Sequence, residues 1–386
     1  MVPYCGPSTY GGASTLALAV ASRLQPHFDV EVLTTCAVDY ETWANAVPAG
    51  HERLDGLHVR RFAVDRPRNA ALFQRLSRTL IYDADASLEA QERWMRAQGP
   101  YSSQLLEYLE TFGTRYDAVV FFSYLYATTY FGLPIVEDRA ILVPLAHDEW
   151  PIVFSLWDRF FARPHAFIYA SEEERAFVAQ RFASLPVEGP VAGIGITPPW
   201  DVDPARFRAR TNIYDEFVLY LGRIDPAKGC DELLADFARF RASCDTLSSL
   251  VLIGEVHMRV ESEPNVVVVG PVDERTKWDA LAACGVFVMP SPHESLSIAV
   301  LEAWAQGRAV LVNGRSETLV GQCRRAHGGL WYSNADEFAV GLELLDPPTR
   351  ERLGESGRRY VQQEYSWSRV DQVYRAVLER VMESPA

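Results

Sequence analysis

Short, almost wholly apolar runs alternate along this chain with longer segments in which apolar residues recur at helical spacing. Such runs are typical of strands buried in a parallel sheet, and the segments between them predict covering helices. The pattern occurs in both halves of the chain, so the sequence predicts an α/β fold with two doubly wound domains. The predicted strands are Val30–Thr35, His58–Ala63, Ala118–Ser123, Ala140–Leu145 and Ala166–Ala170 in the first half, and Phe217–Gly222, Leu250–Gly254, Val266–Gly270, Val286–Pro290 and Ala309–Asn313 in the second.

The ends of the two series of strands suggest where the domains begin and end. Residues 195–211, between the series, are polar and proline-rich and predict a linker. A last predicted helix, Ser366–Met382, follows the second series. At the start of the chain, only Val2–Tyr4 precede a glycine-containing loop. Because such a domain normally places a full buried strand there, we expect either a short first strand or one that begins upstream of Met1.

Composition narrows the class of protein. A length of 386 residues allows two ordinary domains, and a hydrophobic share of 48% indicates substantial cores. A formal charge of -14 argues against general nucleic-acid binding. The six cysteines lack a CxxC motif or a His/Cys cluster, which favours reduced thiols in a cytoplasmic protein over disulfides or structural zinc. No signal peptide is visible, and no apolar run is long enough for a membrane-spanning helix.

Two glutamates, Glu294 and Glu302, lie between the last two predicted strands of the second half. The segment that contains them is mostly apolar at helical spacing, and Gly307 is a natural helix stop. If every intervening residue were helical, the two carboxylates would be separated by roughly 12 Å along the axis. That separation suits two ends of an extended ligand better than one metal ion or one acid/base pair.

Two cations, Arg223 and Lys228, follow the first buried strand of the second half in a loop that contains proline and glycine. The carboxyl ends of parallel strands face the crevice where α/β sheets bind ligands. A guanidinium offers a planar fork to phosphate, and an ammonium offers a compact charge. The alternative is a solvated loop with two ordinary surface cations, but the glutamate pair in the same domain favours an anion site.

Together, the motifs GRIDPAKG (residues 222–229) and PSPHESLSIAVLEAWAQG (residues 290–307) resemble the donor-binding domain of the retaining GT-B glycosyltransferases of family 4, glycosyl transferases group 1. The similarity extends to the first half through Tyr10–Ser14 and Leu142–Trp150. Residues 98–109 resemble members that build bacterial surface polysaccharides. The chain departs from the family at Leu296 and Ser297, where a Phe-Gly pair is usual, so contacts with the donor sugar are expected to differ.

The resemblance implies a GT-B fold, in which two Rossmann-like domains face a central cleft. It assigns residues 1–200 to an acceptor-side domain and residues 201–365 to a domain that binds a nucleotide-sugar donor. Residues 366–386 would form a C-terminal helix that crosses back to the first domain.

The resemblance also implies a role for each of the four charged residues. Arg223 and Lys228 would hold the donor diphosphate and offset charge as it leaves. Glu294 would bind hydroxyls of the donor sugar, and Glu302 would bind the two ribose hydroxyls.

Further positions would complete the donor site. The backbone N–H groups of Leu296, Ser297 and Ile298 would form an anion site at a helix N-terminus. Backbone near Pro271 and Val272 would contact the nucleobase.

Three residues of the first half would also contribute to catalysis or donor binding. Gly11 and Gly12 would let a loop approach the diphosphate without a Cβ in the way. His147 would lie at the interdomain cleft near the transferred sugar and the attacking hydroxyl, whereas Asp148 and Glu149 could instead cap the following helix.

The implied reaction is retaining transfer of a hexose-type sugar from a nucleotide-diphosphate sugar to a hydroxyl of a glycan or lipid-linked acceptor. Polysaccharide biosynthesis is the expected setting, with no cofactor beyond the donor and no metal. The Asp-x-Asp at Asp83–Asp85 lies away from any strand end and is interpreted as incidental. The alternatives are a nucleotide-sugar epimerase on the same fold, a non-catalytic two-domain ligand-binding protein and an inactive scaffold.

One amphipathic segment, Asn69–Tyr82, carries Arg75 and Arg78 among apolar residues. It predicts a helix packed on its own domain. The alternative is a helix that touches an anionic membrane or a lipid-linked acceptor, which would place the protein at the inner face of the membrane.

Overall fold

The chain forms two compact units, each built on parallel β-sheet structure covered by helices. The computed structural model describes residues 1–6, 11–83, 85–242 and 249–383. The first unit comprises Met1–Ile194 together with the C-terminal segment from Val370, and the second unit comprises Gly195–Arg369.

The first unit contains mainly short strands, with helices between them. Its strands are β1 (Glu31–Thr35), β2 (Gly50–Leu54), β3 (Leu57–Phe62), β4 (Val119–Phe122), β5 (Ala140–Val143) and β6 (Ala166–Phe167). Its helices are α1 (Gly12–Leu24), α2 (Ala70–Ile81), α3 (Leu88–Gln98), α4 (Ser103–Phe112), α5 (Ala127–Gly132), α6 (Leu156–Phe160) and α7 (Glu172–Arg181), and its 3-10 turns are Gly113–Arg115, Leu133–Arg139 and Trp150–Val153.

Strands β1, β3 and β2 form one sheet, and β4, β5 and β6 form another. All pairs in them are parallel except the hairpin of β2 with β3. The first residues of the chain lie between these two sheets. Val2 N donates to Leu33 O of β1 at 3.1 Å, and Phe122 N of β4 donates to Met1 O at 3.1 Å. The predicted strand stub therefore takes its place between β1 and β4 through individual hydrogen bonds.

The second unit contains longer helices around one sheet. Its strands are β7 (Phe217–Leu221), β8 (Ser249–Ile253), β9 (Val266–Gly270), β10 (Val286–Met289), β11 (Val310–Asn313) and β12 (Gly329–Tyr332). The helices are α8 (Pro204–Thr211), α9 (Cys230–Arg241), α10 (Glu274–Ala283), α11 (Ile298–Ala305), α12 (Glu317–Ala326), α13 (Ala335–Leu344) and α14 (Pro347–Glu364), with a 3-10 turn at Pro226–Lys228. The last helix, α15 (Trp367–Glu383), begins in this unit and belongs to the first unit from Val370 on.

The sheet of the second unit has the order β12-β11-β10-β7-β8-β9, and every pair in it is parallel. All residues of the neighbouring strands β7 and β10 are buried. Their apolar runs therefore fit the middle of a sheet that is covered on both faces. The predicted α/β class with parallel sheets is confirmed, and the loops that follow β7 and β10 leave the sheet at the same edge.

Three elements differ from the pattern in the sequence. The segment predicted as a linker contains α8, which begins after Asp203, whose side chain accepts from Ala205 N at 2.9 Å. Proline at the first position of that helix is the signal that favours a helix start. Strands β2 and β12 were not predicted, because β2 is polar and largely exposed and β12 is short and only partly apolar.

From Val370 on, the C-terminal helix α15 is part of the first unit. Arg23 of α1 and Asp371 of α15 form an ion pair of 2.9 Å. The buried side of α15 carries apolar side chains and one tyrosine: Val370, Tyr374, Val377, Leu378 and Val381.

Other predictions bear on the thiols and on the membrane. Cys5, Cys36, Cys230, Cys284 and Cys323 are buried free thiols, and Cys244 lies outside the described residues. Among the described helices, none is long and apolar enough to cross a membrane.

Helix α14 lies close against the end of α11, which carries Glu302. A Cβ on Gly354 would lie 1.9 Å from the carbonyl oxygen of Gly307, and a Cβ on Gly357 would lie 2.2 Å from Cδ1 of Trp304. Glycine at these positions lets the two helices approach closely, and this contact fixes the C-terminal end of α11.

We expect Gly354→Ala to lower the free energy of unfolding by about 1–3 kcal/mol, although alanine normally stabilises a helix relative to glycine. The added methyl group would meet backbone that cannot rotate away. Denaturant unfolding measures the effect. Gly12→Ala is the matched control, because a Cβ at this helical position meets nothing within 4 Å. Equal stability of the two variants would contradict the close packing of α14 on α11.

Candidate functional site

The turn after β7 holds both predicted phosphate-binding cations in place through one buried aspartate. Asp225 is 6% exposed, and its carboxylate pairs with Nε of Arg223. Its Oδ1 also accepts from Lys228 N at 2.8 Å, which caps the 3-10 turn. Tyr220 Oη donates to Arg223 O at 2.7 Å. The direction of the Arg223 side chain and the fold of the turn therefore depend on the same carboxylate.

A glycine lets this turn approach the loop that follows β10. Gly229 has a φ of +74°, in the left-handed region, and a Cβ there would lie 2.4 Å from the carbonyl oxygen of Pro290. The same oxygen accepts from Nδ2 of Asn313 at 2.7 Å. Backbone from the ends of β7, β10 and β11 is thus brought together at one edge of the sheet.

Lys228 and Glu294 meet where these loops touch. Lys228 Nζ lies 2.7 Å from Oε1 of Glu294, and the two side chains are 31% and 12% exposed. The structure therefore places Arg223, Lys228 and Glu294 in one cluster within the second unit.

The segment from Glu294 to Glu302 is only partly helical. Helix α11 begins at Ile298, so Glu294 lies in the loop before the helix. The separation of roughly 12 Å assumed a fully helical path, and only part of that path is helical. Pro290 and Pro292 explain the difference, because proline favours extended backbone in the preceding residue and lacks an N–H for the helix.

The start of α11 has the geometry of an anion site. Ser297 is the N-cap residue, is buried, and has extended backbone. Its side chain makes no capping hydrogen bond to the helix, within the described part of the chain. The first N–H groups of a helix need a partner, so those near Leu296 and Ile298 remain suitable for an anionic ligand.

Glu302 lies inside α11 and is paired with a lysine from another helix. Its Oε1 lies 2.5 Å from Nζ of Lys277 on α10, and the two side chains are 10% and 20% exposed. Burial raises the pKa of Glu302, and the Lys277 ammonium opposes that rise. Burial lowers the pKa of Lys277, but the attraction of Glu302 and Glu274 outweighs it, so the net pKa is raised. The net pKa of Glu302 stays raised by burial, and the contact with Lys277 favours its charged form.

Val272 lies in the segment between β9 and α10, just before Asp273, whose side chain accepts from Thr276 N and caps α10. This segment leads into the helix that carries Lys277. The role of Val272 in contacting a nucleobase remains a prediction.

The predicted residues of the first unit lie at the ends of two elements. His147 follows β5, where Oε1 of Glu174 accepts from Ala146 N at 2.7 Å and Oε2 accepts from Ala170 N at 2.6 Å. Glu149 precedes a 3-10 turn, but its carboxylate accepts from Tyr124 Oη at 2.8 Å and does not cap the turn.

Gly11 and Gly12 precede and begin α1. A Cβ on Gly11 would lie 2.6 Å from the Tyr4 hydroxyl, whereas a Cβ on Gly12 meets nothing within 4 Å. A Cβ on Gly11 would therefore meet a side chain, whereas Gly12 has free space around its Cα. The approach of Gly11 and Gly12 to a diphosphate remains a prediction. Tyr10 of the same motif lies outside the described residues.

Two residues that position the charged set were missed in the sequence. Asp225 follows Arg223 by two residues and precedes a proline, a pattern typical of a capping aspartate. Lys277 lies on a different helix from Glu302, and no local pattern links them. Among the described residues, His, Cys, Asp and Glu form no group of three that could hold a metal ion. Ala84, within the Asp-x-Asp, lies outside those residues.

Part of the second unit matches a family of known sequences. Residues 215–345 match the family model described as Glycosyl transferases group 1. The chain is 30% identical over 192 residues to alpha-maltose-1-phosphate synthase of Mycobacterium tuberculosis. The aligned region covers 45% of this chain and 43% of the synthase. It is 37% identical over 102 residues to a lipopolysaccharide core biosynthesis glycosyltransferase of Rhizobium meliloti. That aligned region covers 25% of this chain and 30% of the relative. The matches span less than half the length of these two relatives.

The fold of the whole chain is that of solved GT-B glycosyltransferases. The crystal structure of Anabaena HepE in complex with UDP-glucose superposes with a TM-score of 0.68 over 98% of this chain and 99% of that chain, at 14% identity. The protein thus has the GT-B fold that the sequence predicted. Residues 215–345 of its second unit match glycosyl transferases group 1, and the predicted resemblance to bacterial polysaccharide members is confirmed.

We expect Gly229→Ala to destabilise the protein more than Gly270→Ala does. Both glycines have positive φ, but only at position 229 does a Cβ meet backbone, whereas at position 270 it meets nothing within 4 Å. The control therefore loses only the conformational term of about 1–2 kcal/mol, and Gly229→Ala loses more because the turn must move from Pro290. Thermal unfolding of both variants measures the difference, and equal losses would contradict this contact.

Proposed function

We propose that the protein is a retaining glycosyltransferase. It transfers a hexose-type sugar from a nucleotide-diphosphate sugar to a hydroxyl of a glycan or lipid-linked acceptor, in polysaccharide biosynthesis. One observation carries the proposal: Arg223, Lys228 and Glu294 cluster after two neighbouring parallel strands, and Glu302 is held in the helix that follows. The GT-B fold and the family of the second unit support the same class of reaction.

The proposed chemistry depends on stabilising a leaving group. A nucleoside diphosphate departs from the sugar readily if its negative charge is offset as it forms. Arg223 and Lys228 supply two positive charges, and the N-terminus of α11 supplies N–H donors without a metal ion. The sugar becomes oxocarbenium-like, and the acceptor hydroxyl attacks from the face that the phosphate leaves. The leaving phosphate takes the proton of the acceptor.

The remaining groups orient the donor. Glu294 binds hydroxyls of the transferred sugar and Glu302 binds the ribose, because carboxylates are acceptors for paired hydroxyls. His147 acts near the transferred sugar, and Gly11 and Gly12 let their loop approach the diphosphate. Binding of UDP-glucose by the structurally similar Anabaena protein supports a nucleotide-sugar donor.

We expect Arg223→Ala and Lys228→Ala each to lower the transfer rate by roughly 10²–10³-fold, because each removes a charge from the site where the diphosphate anion develops. Transfer from radiolabelled UDP-, GDP-, ADP- or TDP-sugars to acceptor glycolipids measures the rate. Arg239→Ala is the matched control, since Arg239 belongs to the same unit, has a side chain that is 64% exposed and pairs with Asp336 in a surface contact. That variant should retain the full rate.

Three results would contradict the proposal or a part of it. Unchanged transfer by both Arg223→Ala and Lys228→Ala would remove the roles of these cations. Epimerisation of the donor sugar without any acceptor would favour the epimerase alternative. A product with inverted anomeric configuration, observed by NMR, would contradict the retaining mechanism alone.

We also propose that α2 contacts an anionic membrane surface where a lipid-linked acceptor is held. Arg75 and Arg78 are exposed on this helix, and Leu80 is its buried residue. At its C-terminal end, Ile81 and Tyr82 are 50% and 89% exposed. Basic side chains beside exposed apolar ones are the features of a helix that lies in a membrane interface.

We expect the protein to co-sediment with vesicles of phosphatidylglycerol and phosphatidylcholine more than with phosphatidylcholine alone. Arg75→Gln/Arg78→Gln should weaken that binding by about 10- to 30-fold, at about 1 kcal/mol for each charge. Arg159→Gln/Arg175→Gln removes two other exposed cations of the same unit and should bind as the unmodified protein does. Equal binding to both vesicle types would contradict the membrane contact.

A further inference from the structure

The second glutamate of the pair has a cationic partner that comes from outside its own motif. Lys277 lies on α10, and its Nζ is 2.5 Å from Oε1 of Glu302 on α11. The same Nζ lies 2.9 Å from Oε2 of Glu274, one helical turn earlier. One ammonium therefore bridges two carboxylates that differ strongly in exposure.

The contacts of Lys277 with Glu274 and with Glu302 differ in burial, and therefore in how strongly they affect the charge of each carboxylate. The Glu274 side chain is 79% exposed, so its contact with Lys277 is a surface ion pair. The Glu302 and Lys277 side chains are 10% and 20% exposed, so both charged groups of this pair have lost most of their contact with water. A carboxylate at this depth needs a cation to remain ionised, because burial alone favours its neutral form. The charged groups that act on the Glu302 carboxyl are Lys277, which lowers its pKa, and Glu274, which raises it.

The geometry leaves Glu302 able to accept from a ligand. A carboxylate has about four acceptor positions, and Lys277 occupies Oε1. The remaining positions can accept from two vicinal hydroxyls, provided that the carboxyl is ionised and held in one orientation. Lys277 lies on a different helix from the turn with Arg223 and Lys228, so its position beside Glu302 is independent of the diphosphate cations.

We propose that Lys277 is a positioning residue for Glu302, and that the Lys277–Glu302 pair selects ribonucleoside over 2′-deoxyribonucleoside diphosphates. This inference rests on the proposed function, in which Glu302 binds the ribose. Lys277 does not touch the ligand. It keeps Glu302 ionised and oriented, so that both ribose hydroxyls donate to the same carboxylate.

Calorimetric titration with UDP, GDP and ADP, and with their 2′-deoxy counterparts, tests the proposal on the full chain. We expect Lys277→Met to weaken binding of the preferred ribonucleotide by about 10- to 100-fold, the size of a lost charge-assisted hydrogen bond. Binding of its 2′-deoxy counterpart should change much less, because this ligand lacks one of the two hydroxyls that donate to Glu302. Lys277→Arg should restore most of the affinity.

The pH dependence provides a second readout. Without the Lys277 ammonium the pKa of Glu302 rises, and the protonated carboxyl is a poorer acceptor for ribose hydroxyls. Ribonucleotide affinity of Lys277→Met should therefore fall more steeply than that of the unmodified protein as the pH is lowered from 8 to 6. In a Glu302→Gln background, the substitution at Lys277 should have little further effect, and this double variant leaves no unpaired buried charge.

A matched control lies on the same helix. Arg275 of α10 has a side chain that is 60% exposed and pairs with Asp201 at 2.6 Å. Arg275→Met also removes one cation from α10 and should leave the ratio of ribonucleotide to deoxyribonucleotide affinity unchanged.

The outcomes distinguish this inference from the proposed function. If the unmodified protein binds none of the nucleoside diphosphates, the proposed function fails. If it binds them and Lys277→Met loses ribonucleotide and deoxyribonucleotide affinity equally, Lys277 is a structural residue and the positioning role is overturned. Unchanged affinity and pH profile in Lys277→Met would overturn it as well.

Discussion

The candidate site depends on the parallel pairing of β7 with β10 in the middle of the second sheet. Both strands are buried along their whole length, in a sheet that is covered on both faces. Because they run in the same direction, the turn with Arg223 and Lys228 and the loop with Glu294 leave the sheet at one edge. Gly229 then allows the two segments to touch, and α11 follows with Glu302. The charged groups therefore meet because of strand register and not because of their own attraction.

Charge pairing is the second constraint on this edge of the sheet. Asp225, Glu294 and Glu302 are largely buried, and each has a cation within its reach. A buried carboxylate without such a partner would lose its charge or destabilise the fold. The pairs thus preserve the ionised groups that a donor would need, in an arrangement that is stable before any ligand arrives. The partners also differ in where they lie along the chain. Asp225 lies in the same turn as Arg223, whereas Lys277 lies on a different helix from Glu302.

The sequence predicted much of this arrangement because its signals are local. Apolar runs located the central strands, and the order of Arg223, Lys228, Glu294 and Glu302 indicated the class of ligand. It did not predict the start of α11, because proline upstream delays the helix. It also missed Lys277, since the contact with Glu302 depends on how two helices pack. Strand β2 was also missed, because its residues are polar and largely exposed. It forms a strand through its pairing with β3, which no apolar run in the sequence indicates.

If Lys228 and Glu294 bind the donor as proposed, their ion pair makes donor binding an exchange of partners. A bare phosphate that captured Lys228 would leave Glu294 buried without its cation, and the cost of that carboxylate would be set against the gain. A diphosphate that carries a sugar brings both replacements at once, an anion for the ammonium and hydroxyl donors for the carboxylate. In the proposed function, the protein's own carboxylate would therefore be an internal competitor that bare anions must displace without compensation. Such a competitor would keep the cations available for sugar-linked diphosphates in the presence of inorganic phosphate.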